Sequence, residues 1–130
     1  MSYEFDSHKP IYLQLVELFS QLIAGGAWAA GMRVASVRDL AMTYGVNPNT
    51  LQRALSELER EGLMYTERTN GRFITEDQQR IDSVRQQLAQ DRVEQFIQQM
   101  SALGCSKDEL IRLIDQKWGD ENVTDRNQES

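Results

Sequence analysis

Cysteine is nearly absent from this 130-residue chain: Cys105 stands alone. That excludes an internal disulfide framework and any zinc cage built on cysteine. Histidine is as scarce, His8 being the single copy; it lies in a mobile leader, residues 1–9, without the further ligands a metal needs. No cofactor is expected. Long hydrophobic runs are missing as well, the least polar stretch, residues 22–32, being far shorter than the roughly 18 residues of a membrane span. The chain opens without the cationic and apolar regions of a secretory signal, so a cytoplasmic protein with no membrane contact is expected. No Ser-His-Asp set, glycine-rich phosphate loop or metal spacing is present, and no enzyme is expected.

Positive charge is in deficit, the formal net charge being −6. Taken alone this opposes binding to a polyanion, because Lys and Arg contacts to phosphate supply much of nucleic-acid affinity. The distribution weakens the objection. Residues 33–75 hold six arginines against five acidic groups, a net of +1, whereas residues 77–130 hold seven basic and eleven acidic groups, a net of −4. What is plentiful is apolar material, 40% of residues, enough for a core in a chain of this size.

The first apolar stripe, Ile11, Leu15, Val16, Leu18, Phe19, Leu22 and Ile23, has helical spacing, with Pro10 at its start and Gly25-Gly26 at its end. Residues 27–34 form a turn with a short extended piece, and Trp28 plugs against that helix. A two-turn helix follows, with Ser36 as N-cap and Gly45 as stop. Asn47 then caps a further helix with Pro48 in its first turn, apolar Leu51, Ala54, Leu55 and Leu58 on one side, and Gly62 at its end. Two helices joined by so short a turn form a helix-turn-helix. Next, residues 63–68 and 72–75 flank Thr69-Asn70-Gly71, and Asn-Gly between short β-rich stretches is a strong hairpin signal. A hairpin in that place is a wing.

From residue 76 to about 103 a long helical pattern puts Ile81, Val84, Leu88, Val93, Phe96, Ile97, Met100 and Leu103 on one side. Gly104 stops it, and Ser106 caps a short helix carrying Leu110, Ile111, Leu113, Ile114 and Trp118 that ends at Gly119. The fold class is therefore mainly α with a small β-hairpin: a leader (1–9), a winged helix-turn-helix (10–76), a two-helix dimerisation segment (77–119) and a disordered tail (120–130). The dimerisation set is Ile81, Val84, Leu88, Val93, Phe96, Ile97, Met100, Leu110, Ile114 and Trp118, a stripe that an antiparallel two-fold partner would bury. Phe19, Trp28, Tyr44, Phe73 and Phe96 are assigned to packing, as is Cys105.

A helix-turn-helix places its second helix in the major groove and holds phosphates with neighbouring elements. The first turn of that helix offers Asn47, Asn49, Thr50, Gln52 and Arg53 to base edges and phosphates, although Gln52 and Arg53, about 100° apart on a helix, cannot both face the DNA equally. Arg68 and Arg72 flank the wing tip, within reach of the minor groove or adjacent backbone. Arg60 with Glu57, Glu59 and Glu61 reads as a solvated face.

These motifs resemble the GntR family of bacterial transcription regulators. The carrying residues are Ala35-Ser36-Val37-Arg38-Asp39-Leu40-Ala41 followed by Gly45-Val46-Asn47-Pro48-Asn49-Thr50-Leu51-Gln52-Arg53-Ala54-Leu55, and the short C-terminal extension is similar to the YtrA-type subfamily. The family pattern implies that Ser36 and Arg38 touch phosphate or base, that Asn49 and Thr50 lie at the groove and that Gly71 permits the wing turn. It also implies a homodimer on double-stranded DNA at a palindromic operator, usually repressing and often near transporter genes, with any small-molecule effector bound at the helical dimer interface. Pro48 and Gln52 stand where many members carry Arg. A winged-helix protein-protein interaction module that does not read DNA remains the alternative, given the net charge.

Overall fold

The computed structural model describes residues 3–129, with side chains described for residues 3–120. Helices α1 (Ile11–Ala24), α2 (Val37–Tyr44) and α3 (Pro48–Arg60) are followed by strands β1 (Met64–Glu67) and β2 (Gly71–Ile74), then by helices α4 (Gln78–Ala102) and α5 (Lys107–Glu129). Two units divide the chain, Met1–Leu88 and Ala89–Ser130, so the first unit keeps the opening turns of α4. The expected boundary at residues 76/77 moves because Ile81 is buried and Val84 half-buried against the core of the first unit.

That core is built from the stripes seen in the sequence. Leu15, Phe19 and Ile23 of α1 meet Leu51, Ala54, Leu55 and Leu58 of α3, closed by Leu40 and Ala41 of α2 and by Leu63, Met64 and Ile74 at the hairpin. Each fully buried aliphatic side chain contributes about 1.5–3 kcal/mol of transfer free energy. Trp28 stacks on Phe19 with ring centroids 4.8 Å apart, the plug anticipated for it.

The turn between α2 and α3 follows from its residues. Ser36 Oγ accepts the Asp39 N–H at 3.1 Å, and Asn47 Oδ1 accepts the Asn49 N–H at 2.7 Å, so each helix starts on its predicted cap. Gly45, with φ of 67°, takes the left-handed conformation that ends α2 and sends its N–H to Ala41 O.

The hairpin differs in its loop. A two-residue Asn-Gly turn of type I′ needs positive φ at both residues. Only Gly71 has it here, and Gly71 already pairs with Glu67 as the first residue of β2, which leaves the three residues 68–70 as the connection. The short extended piece before α2 joins this sheet: Arg33 bridges Phe73, and Val34 N donates to Arg72 O at 2.9 Å while Ile74 N donates to Met32 O at 2.8 Å.

Two further expectations are corrected. The leader makes packed contacts from Tyr3 onward: Gln14 accepts from Asp6 N at 2.8 Å and returns its amide to Asp6 O at 2.7 Å, Phe5 packs against the core, and Tyr3 meets Tyr44 edge-on at 6.2 Å. At the other end α5 does not stop at Gly119 but continues to Glu129. A glycine inside a helix costs only about 1 kcal/mol relative to alanine, and Gly119 keeps a negative φ, unlike Gly104, whose φ of 82° follows the end of α4. Segment 120–130 therefore carries helical backbone through Glu129.

Within the second unit, Ser106 Oγ accepts from Glu109 N at 3.2 Å, the predicted cap of α5. Leu110 is buried, but Val93, Phe96, Ile97, Leu103, Ile111, Leu113, Ile114 and Trp118 are all exposed. Phe96, assigned to packing from the sequence, lies on this uncovered apolar surface. No helix of the described residues is long and apolar enough to cross a membrane.

Candidate nucleic-acid interface

The first turn of α3 presents Asn47 and Asn49 exposed and Thr50 half-buried, above Leu51, which is fully buried and anchors the helix. Asn47 is partly committed, since its side chain caps α3, and Ser36 likewise caps α2. Both caps leave other backbone N–H groups of those helix starts directed outward, where the helix dipole favours an anion. Gln52 Nε2 donates to Ser56 Oγ at 3.2 Å, one turn along the exposed side.

The arginines between residues 33 and 80 divide into two sets. Arg53 lies over the ring of Tyr12, 3.6 Å from its centroid, and so ties α3 to α1 by a cation–π contact. That resolves the competition between Gln52 and Arg53, because the guanidinium of Arg53 points to α1. Arg60 pairs with Glu57 on the outer face, as expected of a solvated pair. Arg80 Nε donates to Glu61 O at 2.7 Å, holding the start of α4 against the end of α3. Arg33, Arg38 and Arg68 form the other set: they are exposed and their side chains have no hydrogen bond or ion pair among the described residues. Arg38 is in the first turn of α2, Arg68 in the hairpin loop, and Arg33 beside Gly71.

Arg72 is placed differently from Arg68, although both flank the wing tip in sequence. Its Nε donates to Glu59 Oε1 at 2.7 Å, and its side chain is only 17% exposed. Thr66 Oγ1 donates to the same carboxylate oxygen. Glu59 thus gathers one donor from each strand of the wing onto α3. Burial pushes its pKa up, but the hydrogen bonds from Arg72 and Thr66 and the charge of Arg72 outweigh that and hold the carboxyl below its ordinary value. Glu59 escaped sequence reading because its partner is 13 residues away on another element. Arg33 escaped because it precedes the helix-turn-helix and only the strand register brings it to the wing.

A cleft of about 660 Å3 lies between the wing and the start of α2, lined by residues including Arg33, Ser36, Val37, Asp39, Thr66 and Gly71. Of the expected dimerisation residues, Ile81 and Val84 pack on the core of the first unit and Leu88 is half-buried beside them, because α4 begins as part of that core. The exposed members of the set begin at Val93. A shallow, nearly flat apolar patch lies along α4 between Ala89 and Gln98, formed around Val93 and Ile97.

A short-turn helix pair, a wing bridged to the segment before it, and unpaired arginines around both define a winged helix-turn-helix protein of the DNA-binding class. Residues 11–74 match the family of bacterial regulatory proteins described as the gntR family. The chain is 38% identical over 114 residues to the HTH-type transcriptional regulator YhcF of Bacillus subtilis, covering 88% of this chain and 94% of that one. Over 71 residues it is 41% identical to the transcriptional repressor YtrA of the same organism, 55% of each chain. A GntR family transcriptional regulator of Listeria monocytogenes has the same fold, with a TM-score of 0.79 and 41% identity over 86% of this chain and 98% of that one. The chain belongs to the GntR family, as a YtrA-type transcriptional regulator with a DNA-binding domain and no enzymatic role.

Proposed function

We propose that the protein is a homodimeric repressor that binds a palindromic operator, each copy reading one half-site. In this reading Asn49, Thr50 and Gln52 meet base edges in the major groove, while Ser36, Arg38 and Asn47 at the two helix starts hold the phosphates. Arg68 and Gly71 carry the wing to the strand beside it. Arg53 and Arg72 act indirectly, by fixing α3 against α1 and the wing against α3. The observation that carries the DNA reading is the sorting of arginines, with exposed, unpaired guanidinium groups at the start of α2 and on the wing of a chain whose net charge is −6. Local charge there supplies the phosphate affinity that the whole chain lacks.

Dimerisation is supported by the apolar surface of the second unit, where Val93, Phe96, Ile97, Ile114 and Trp118 are exposed together with half-buried Met100 around buried Leu110. So many large apolar side chains on two helices mark an interaction surface. The relative named as a repressor supports repression over activation, and transporter genes are the expected targets from the family pattern.

The test is selection of bound duplexes from a random library by the full chain, followed by light scattering of the complex. An inverted repeat bound by two copies is the expected outcome. Enrichment of a single unrepeated half-site, bound by one copy, would refute the homodimer. No enrichment at all would favour the protein-binding module.

A further inference from the structure

Arg33 is held in place by its backbone. The isolated bridge to Phe73 and the hydrogen bonds of Met32 and Val34 with β2 tie its segment to the edge of the wing and hold its Cα beside the hairpin. Its guanidinium lies across Gly71: a Cβ built there would meet Arg33 Nη2 at 3.4 Å, Nε at 3.5 Å and Cζ at 3.8 Å. Gly71 has a φ of 101° and no side chain, so the wing is thinnest where the guanidinium sits.

The cleft that Arg33 borders holds charge of both signs. Asp39 lines it, and the charge of Arg72, on the same cleft, is met by Glu59. The donors of Arg33, by contrast, have no partner among the described residues and are exposed to solvent. A guanidinium carried on a thin wing tip suits the minor groove, above all where A·T-rich sequence narrows it and deepens its negative potential.

We propose that Arg33 enters the minor groove beside the wing and gives the protein a preference for A·T-rich sequence at that place in each half-site. This rests on the operator-binding reading, names a further contact within it, and assigns specificity to a residue outside the helix-turn-helix.

The duplex selected by the full-length chain is remade in three versions that differ only in the pairs under the wing: A·T, G·C and inosine·C. Inosine·C keeps the major-groove face of G·C but lacks the 2-amino group in the minor groove. The unaltered protein should bind the A·T and inosine·C versions about tenfold tighter than the G·C version. Arg33→Ala should lose about tenfold on A·T and bring the ratio to about one. Arg33→Lys should keep most of the affinity and lose most of the ratio, since a compact ammonium is held less well in a narrow groove. An unchanged thermal midpoint in both variants shows that the wing is still folded. The proposal is overturned if Arg33→Ala binds all three duplexes like the parent, or weakens all three by one factor as a phosphate contact would. A parent that prefers none of the selected duplexes to random DNA would overturn the operator reading itself, and this proposal with it.

Discussion

Up to Leu88 most of the large apolar side chains turn inward: Phe19, Leu15, Leu51, Leu55, Leu58, Leu63 and Ile74 are fully buried, while Ile11, Leu13 and Met42 stay exposed. From Ala89 onward the relation inverts: Leu110 is buried while Trp118 is 65%, Val93 54% and Ile97 48% exposed. Both regions are helical and both draw on the same aliphatic residues. The difference is that α1, α2, α3 and the hairpin close around a common centre, whereas the second unit has only part of α4 and α5 with which to cover its apolar stripes. A region that has buried its stripes is stable in its own right, and one that has not depends on what it meets.

The comparison is tested most severely by core truncation. Leu55→Ala, at a fully buried site in α3, should lower the unfolding free energy by about 2–5 kcal/mol. Urea denaturation measures it, and a loss below about 1 kcal/mol would mean that the first unit is packed no better than the second. The converse substitution is Ile97→Asp. It should leave the urea midpoint of the first unit in place, turn the proposed dimer into a monomer in sedimentation, and lower affinity for a palindrome about a hundredfold, to that of a half-site. A variant that still sediments as a dimer would move the interface off α4.

Smaller effects separate the two sets of arginines. Arg38→Ala should weaken operator binding about tenfold and reduce the slope of log affinity against log salt by about one, as the loss of one phosphate contact requires. Arg60→Ala, on a surface pair, should change neither quantity measurably. Glu59→Gln unties the wing from α3, and about 1 kcal/mol of stability should go with it. Because the folded pKa of Glu59 lies below its unfolded value, its contribution is present at neutral pH and is lost as pH falls through the carboxylate range, from about 5 to about 3. The parent should therefore lose more stability over that window than Glu59→Gln does. Parallel pH profiles would show that the Glu59–Arg72 contact adds nothing.

Much of this molecule was legible because its signals are local. Ser36, Gly45, Asn47 and Pro48 punctuate α2 and α3 within a few residues of where they act, and period-3.6 stripes reveal which face is buried. What escaped is contact at long sequence range. No pattern in residues 57–61 distinguishes Glu59 from Glu57 and Glu61; only the packing of the hairpin on α3 turns one of three similar carboxylates toward Arg72. Arg53, offered to the groove by its place in the first turns of α3, lies instead over Tyr12 of α1. Arg33 carried no signal in its own segment, since β-pairing to Phe73 brings it to Gly71. The helix end expected at Gly119 does not form for another reason: glycine is a weak breaker by itself, and Gly119 lacks the left-handed conformation with which Gly104 follows the end of α4.

The central claim is that a chain of net charge −6 reads DNA through a few locally unpaired arginines and the polar first turn of α3. Its most direct test is a binding titration of the full chain against the DNA upstream of its own gene and against unrelated DNA of equal length, across a salt series. Tighter binding to its own upstream DNA at every salt concentration, with affinity falling as salt rises, is the result predicted. Equal affinity for both fragments throughout the series would contradict it.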